Sequence, residues 1–240
     1  MRKLLISIAL FILIAGNSYA VFTYSDLTDF KELPIVGVAP ENEQGVIGKL
    51  RIYLIKNGSG IVYFDSNYDI DFATRASIIN TVKAAETYYG VQDSEYDYFV
   101  QFDIPAYKIS GESSNAAVFI LVAALHNKKY LKEDILITGY PDENLDLKGA
   151  GGILKKIQAA NLNNFEYMLI PETKLRLYFK RAQTTSFSDN FSPHENYFII
   201  KEIGFGEYFK DKLNVDLIEI NNMQEALDYF FEWNEPVNSD

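Results

Sequence analysis

Apolar residues recur along this chain either at helical spacing or in the short runs typical of strands, and segments of these two kinds alternate. Between residues 71 and 89 they recur at helical spacing until Gly90, which predicts an amphipathic helix. Residues 113–126 are almost all apolar, which predicts a helix that is buried on most sides. Two more helices are predicted at residues 151–162 and 223–233, and strands at residues 46–56, 61–64, 96–102, 135–138, 167–170 and 217–220. Strands that alternate with helices indicate an α/β domain.

The turn sequence N-G-S-G at residues 57–60 separates the first two strands and predicts an N-terminal β-hairpin, which would make the sheet mixed (α+β). Residues 21–45 follow neither period, and we interpret them as a lead-in segment. Residues 173–212 also fit neither period and include a polar stretch at 184–192. They are interpreted as an insertion before the last strand–helix unit of a domain that spans residues 46–240.

The N-terminal twenty residues have the pattern of a targeting segment. Arg2 and Lys3 precede an apolar run at residues 4–15, and small residues follow at the S-Y-A sequence of residues 18–20. The run is too short to span a hydrocarbon core of about 30 Å, so the pattern favours a cleaved signal peptide. An uncleaved anchor, which would keep the protein close to a membrane, is the alternative. In both cases we expect an exported protein that is periplasmic, secreted or membrane-associated outside the cytoplasm.

Composition excludes several kinds of chemistry. The 240 residues contain no cysteine, so disulfides, a thiol nucleophile and cysteine metal sites are excluded. A net charge of −11 argues against nucleic acid and anionic membrane surfaces as partners. Neither His126 nor His194 lies in a recognisable Ser-His-Asp setting, and the metal motif H-E-x-x-H is absent. We therefore expect no metal or cofactor, and lysine as the base if the chain is an enzyme.

Ser113 and Lys156 are the residues best suited to such chemistry. Ser113 follows Gly111 at the start of a helix, whose free N–H groups favour developing negative charge. Lys156 has apolar neighbours on its helix, and burial there would have to lower its pKa from the ordinary value of about 10.4. Taken singly, a serine in the position of Ser113 is more often a helix N-cap, and a lysine in the position of Lys156 is more often solvated. Lys155 is expected to face solvent.

Three segments carry a more specific signal together. They are G-E-S-S at residues 111–114, I-T-G at 137–139, and G-A-G-G-I-L-K-K-I-Q-A-A at 149–160. These segments, with L-I-P at 169–171 and the ending at 215–231, resemble the proteolytic domain of Lon proteases, especially the archaeal membrane-bound type. The matching family motifs are G-D-S-A or G-P-S-A, M-T-G, and P-[IV]-G-G-x-x-x-K-[IL]-x-A-A. The resemblance covers most of the chain after the predicted signal peptide.

The resemblance implies a Lon-like proteolytic fold with a serine–lysine dyad. It makes Ser113 the nucleophile and Lys156 the general base, and it implies that Thr138 helps to hold the lysine. Glu112 falls where the archaeal type has an acidic residue next to the serine. A homo-oligomeric ring is one assembly that the resemblance implies.

The chain also departs from the family pattern. Asn115 replaces a small Gly or Ser, Ser114 replaces Ala, Gly149 replaces Pro, and Thr173 replaces Asn. These departures leave the dyad intact but alter its surroundings. An exported protein has no ATP to use, and the sequence contains no ATPase motif, so threading of substrates by an ATPase is not expected.

The function expected from the sequence is an exported, ATP-independent serine endopeptidase that cleaves flexible peptides or unfolded protein segments. An inactive Lon-like domain that binds peptides or proteins is the alternative. An esterase or amidase that acts on small substrates is a third interpretation.

Overall fold

The computed structural model describes residues 27, 29–65, 67–91, 95–149, 151–180, 198–210 and 212–231. The predicted signal peptide, His194 and the polar stretch at 184–192 lie outside these ranges. Thirteen strands and five helices occur within them, and they form a mixed α/β structure as expected. No helix in the described ranges is both long and apolar enough to span a membrane.

The helices are α1 (Phe72–Tyr88), α2 (Asn115–Asn127), α3 (Ile153–Leu162), α4 (Phe205–Phe209) and α5 (Met223–Phe230). The strands are β1 (Phe30–Val38), β2 (Gly45–Lys56), β3 (Val62–Phe64), β4 (Asp69–Ile70), β5 (Tyr96–Asp103), β6 (Lys108–Ile109), β7 (Ile135–Ile137), β8 (Tyr140–Pro141), β9 (Leu147–Lys148), β10 (Tyr167–Pro171), β11 (Lys174–Lys180), β12 (Phe198–Gly204) and β13 (Asp216–Ile220).

Two sheets organise these elements. The first has the strand order β1-β2-β5-β3, in which β1, β2 and β5 are antiparallel and β3 runs parallel to β5. The second is parallel throughout and has the order β13-β10-β7. Helix α2 lies in the main hydrophobic core, where residues 115–125 are all buried. Burial on most sides therefore explains why the sequence of this helix is nearly all apolar, as predicted.

The predicted pairing of β2 with β3 is wrong. Strand β2 pairs with β1 and β5, and the turn at residues 57–60 is tied to Asp97, whose Oδ1 accepts the N–H groups of Ser59 at 2.6 Å and Ile61 at 2.8 Å. The N-terminal hairpin consists of β1 and β2 instead. The interpretation of residues 21–45 as irregular is thus wrong for residues 30–38, because Pro34 and Gly37 interrupt an apolar pattern whose Leu33 is buried in the core.

Local capping explains the position of α1. The Asp71 side chain accepts the Thr74 N–H at 2.8 Å, which satisfies one of the free donors at the start of the helix. The helix ends at Tyr88, and Gly90 follows in the left-handed conformation with φ +68°. Both ends agree with the sequence prediction to within one residue.

Helix α3 lies unusually close to the first sheet because of two glycines. A Cβ on Gly45, the first residue of β2, would lie 2.0 Å from the Lys155 carbonyl oxygen. Gly152 has φ +68°, and a Cβ there would lie 2.7 Å from Val38 Cγ2. The absence of these two Cβ atoms lets the first turn of α3 pack directly against β1 and β2. Lys156, on this part of α3, is buried in the protein interior.

The predicted insertion contains regular structure. Strands β11 and β12, which follow β10 and precede β13 along the chain, form a separate antiparallel two-stranded sheet. This ribbon stands before the last strand–helix unit, where the sequence predicted an insertion.

Candidate active site

Ser113 lies in the turn that precedes α2 rather than at its cap. The helix N-cap is Ser114, and its side chain makes no capping hydrogen bond. The Asn115 N–H donates to the Glu112 carbonyl at 2.9 Å, and the Gly139 N–H donates to the Ser113 carbonyl at 3.0 Å. The turn that carries Ser113 is therefore fixed both by a bond within it and by a bond from the chain after β7. The half-buried side chain of Ser113 makes no hydrogen bond to another described residue.

Lys156 is buried and holds one specific partner. Only 2 % of the residue is exposed, and Nζ donates to Thr138 Oγ1 at 3.0 Å. Thr138, directly after β7, is fully buried, and its Oγ1 donates in turn to the Ser113 carbonyl at 3.4 Å. Burial lowers the pKa of Lys156 to about 8. A substantial fraction of this lysine is therefore neutral at mildly alkaline pH.

The environment of Lys156 explains its pKa. Helix α3 packs against β7 and β10 through an apolar cluster that includes Ile157, Leu136 and Met168. Desolvation disfavours the ammonium form, and within the described residues no carboxylate forms an ion pair with Lys156 to oppose that effect. Lys155, one position earlier, faces solvent as predicted, and its Nζ forms a surface ion pair with Glu43 at 2.7 Å.

Ser113 and Lys156 line the same cavity, which has a volume of about 590 Å³. Its apolar wall is formed by β1, β2 and β5 and the chain after β5, with the side chains of Ile35, Val36, Val38, Val46, Phe102 and Ile104. Ser113 and Lys156 do not hydrogen bond directly. They are connected through Thr138, which bonds the Lys156 side chain and the Ser113 backbone.

Glu112 lies beside the nucleophile candidate but points toward α1. Its Oε1 accepts a hydrogen bond from Ser77 Oγ at 2.9 Å, and Ser77 Oγ accepts one from Asn115 Nδ2 at 2.6 Å. In the same region, the Gly111 N–H donates to Thr74 Oγ1 at 2.9 Å. Sequence reasoning missed Ser77 and Thr74. Their spacing of three residues on one helix face is the signal that could have indicated a common neighbour.

The only histidine in the described part of the chain is not in this cavity. His126 lies near the C-terminal end of α2, where Nε2 is 2.7 Å from the Tyr98 hydroxyl. Burial lowers the pKa of His126. No group of three or more His, Cys, Asp or Glu residues that could hold a metal ion is present among the described residues.

Comparison with known proteins finds a partial similarity to a curated protein. No family model matches the chain. Among curated proteins, the chain is similar to the archaeal Lon protease of Methanocaldococcus jannaschii, with 33% identity over 79 residues. The aligned part is 33% of this chain and 12% of that protein. The similarity supports a distant relationship to a protease over one third of the chain.

Proposed function

We propose that this chain is a serine endopeptidase in which Ser113 is the nucleophile and Lys156 the general base. One observation carries the proposal: a buried lysine, hydrogen-bonded to Thr138, lines the same cavity as Ser113, and among the described residues the lysine has no carboxylate partner and the Ser113 hydroxyl has no hydrogen bond. The partial similarity to a Lon protease supports the same reaction class.

The chemistry follows from the protonation state of Lys156. Neutral Lys156 accepts the hydroxyl proton while Ser113 Oγ forms a bond to the scissile carbonyl carbon. The C–N bond then breaks, and Lys156 returns the proton to the leaving amine. Water attacks the resulting ester, Lys156 takes the water proton, and Ser113 regains its hydrogen. The cycle needs no cofactor, since protons and electron pairs balance among the serine, the lysine, the peptide and one water.

Thr138 orients the base. A neutral amine has two N–H donors and one lone pair. One donor is directed to Thr138 Oγ1 at 3.0 Å, and this bond restricts rotation of Nζ. The lone pair can then be directed to the Ser113 hydroxyl. Because catalytic hydrogen bonds are often long before a substrate binds, the missing serine–lysine bond is compatible with this role.

The oxyanion of the tetrahedral intermediate requires N–H donors. The amide groups of Ser113 and Ser114 make no hydrogen bond to another described residue, and both lie at the N-terminal end of α2. The dipole of α2 favours negative charge at this end. We assign these two amides to the oxyanion hole.

The proposal includes export and independence from ATP. The signal-like pattern of residues 1–20 supports export, and no G-x-x-x-x-G-K-[ST] sequence occurs in the 240 residues. Without threading by an ATPase, the substrates would be flexible peptides or unfolded segments that enter the cavity on their own.

Labelling with a serine-directed fluorophosphonate probe tests the proposal. We expect the protein without residues 1–20 to be labelled in the absence of ATP. Labelling should disappear in Ser113→Ala and in Lys156→Arg, since arginine stays charged, but persist in Lys155→Arg. A folded wild-type protein that is not labelled would contradict the proposal and favour the alternative, a peptide-binding domain without catalysis.

A further inference from the structure

Helix α1 contacts the nucleophile turn at three points. Thr74 Oγ1 accepts the Gly111 N–H, and Ser77 Oγ donates to the Glu112 carboxylate and accepts from Asn115 Nδ2. Thr74 and Ser77 are three residues apart and therefore lie on the same face of the helix. All three contacts flank Ser113 in sequence. Helix α1 thus holds the turn on both sides of the nucleophile candidate.

The directions of these bonds follow from the Asn115 side-chain amide. Ser77 Oγ accepts from the Asn115 amide, so its single hydrogen is donated to Glu112 Oε1. The chain of bonds therefore ends at Glu112 Oε1, which acts as the acceptor. Asn115 is 1 % exposed, and its Oδ1 has no hydrogen-bond partner among the described residues. An unpaired buried oxygen destabilises the fold, so the amide is costly to keep at this position.

The charges around the cavity show why the position of Glu112 matters. Apart from Glu112 and Lys156, the charged side chains that line the cavity are Lys108, from β6, and Lys155, which is paired with Glu43. Tyr140, from β8, is a further titratable group there. Glu112 is thus the one carboxylate among the described residues that line this cavity. A negative charge close to Lys156 would stabilise its ammonium form and remove the base.

We propose that Ser77 and Asn115 are positioning residues that hold the Glu112 carboxylate against α1, and so keep negative charge away from Lys156. The inference rests on the proposed role of Lys156 as a base. It assigns a function to two residues outside the dyad, one of which, Asn115, departs from the Lon pattern. Neither residue contacts the reacting atoms, and both act through Glu112.

The direct test is titration of Lys156 by NMR in protein labelled with ¹³C-lysine. Its signal is assigned by its loss in Lys156→Met. In Ser77→Ala the exposed Glu112 carboxylate, which already lies at the cavity, loses its bond to α1 and is free to turn toward Lys156, and we expect the Lys156 pKa to rise by about 1 to 3 pH units. In the double variant Ser77→Ala/Glu112→Gln the pKa should return to the wild-type value, because the released side chain is uncharged.

Two controls separate this effect from a general disturbance of α1. Ser77→Thr keeps the hydroxyl and should keep the wild-type pKa of Lys156. Thr87→Ala, on the same helix, removes a hydroxyl whose one hydrogen bond among the described residues is to the Lys83 carbonyl of its own helix, and should also leave that pKa unchanged. The inference is overturned if Ser77→Ala leaves the pKa of Lys156 unchanged, or if the pKa stays raised in the double variant.

The pH dependence of probe labelling distinguishes this inference from the proposed function. We expect the midpoint of labelling in Ser77→Ala to move to higher pH together with the Lys156 pKa, and to return in the double variant. If the pKa moves as described but no variant is labelled, the positioning role stands and the peptidase proposal fails. If the wild type is labelled and the pKa does not move in Ser77→Ala, the peptidase proposal stands and the positioning role fails.

Discussion

At the scale of single residues, Lys156 lowers the stability of the fold. Its folded-state pKa of about 8 lies below the value of 10.5 expected in the unfolded chain. Between these values the unfolded state binds more protons, so the free energy of unfolding increases as the pH rises. The penalty is fully present below pH 8, decreases through this window and is absent above it. A group of this kind at a cavity is typical of a functional site rather than of a structural one.

Lys156→Met should therefore stabilise the protein in a pH-dependent way. Below pH 8 we expect the free energy of unfolding to increase by about 3 kcal/mol, which corresponds to the shift in the Lys156 pKa. The gain should shrink as the pH rises from about 8 to about 10.5. Urea unfolding at several pH values measures this. Lys155→Met is the control, because an exposed ion pair contributes less than about 1 kcal/mol. A gain that is constant with pH would contradict the assignment.

Thr138 is the second residue with a testable role. Thr138→Val keeps the shape of the side chain but removes the acceptor for Lys156 Nζ and the donor to the Ser113 carbonyl. We expect the rate of probe labelling to fall about tenfold, equivalent to the loss of about 1.4 kcal/mol of positioning. Thr138→Ser should retain most of the rate. Equal rates in the valine and serine variants would show that the hydroxyl does not orient the base.

At the scale of elements, the site depends on how α3 meets the first sheet. Gly152 is the N-cap of α3 and has a left-handed conformation, and a Cβ there would lie 2.7 Å from Val38 Cγ2. Strand β1, which supplies Val38, also lines the cavity. A displacement of the first turn of α3 would move Lys156 relative to Thr138. The packing of Gly152 against Val38 therefore sets the position of Lys156 in the site.

Gly152→Ala should destabilise the protein by about 1 to 3 kcal/mol, because of the left-handed backbone and the contact with Val38. Gly151→Ala is a matched control, since a Cβ on the neighbouring glycine meets nothing within 4 Å. We expect it to change the free energy of unfolding by less than about 0.5 kcal/mol. Thermal unfolding of both variants decides the matter, and equal losses would mean that this close approach does not exist.

The elements also differ in how far their sequence predicted them. Helix α2 was predicted to within two residues at its start. A continuous apolar run of this length is typical of a helix that is buried on all sides. Strand β1 was missed, since Pro34 and Gly37 hide its apolar residues. The pairing of β3 with β5 was also missed. A turn sequence predicts that two strands reverse direction, but not that a buried Asp97 draws the turn toward another strand.

At the scale of the whole molecule, the proposal requires that the chain be exported. If residues 1–20 are a signal peptide, the mature protein begins at Val21. We expect mass spectrometry of protein recovered from outside the cytoplasm to find this N-terminus. A control in which Arg2 and Lys3 are replaced by Glu should remain in the cell. Recovery of the intact chain with the membrane fraction would instead support the uncleaved anchor.

The sequence by itself determined the fold class, four of the five described helices, six of the thirteen described strands and the candidates Ser113, Lys156, Thr138 and Glu112. Local period, capping and short motifs depend on neighbouring residues, and these are visible in one dimension. The resemblance already implied that Thr138 holds Lys156, and only the tertiary structure decided which segments remove Lys156 from solvent and that Glu112 bonds Ser77. Desolvation and hydrogen-bond choice depend on atoms from segments far apart in the chain. No local pattern reports which of those segments become neighbours.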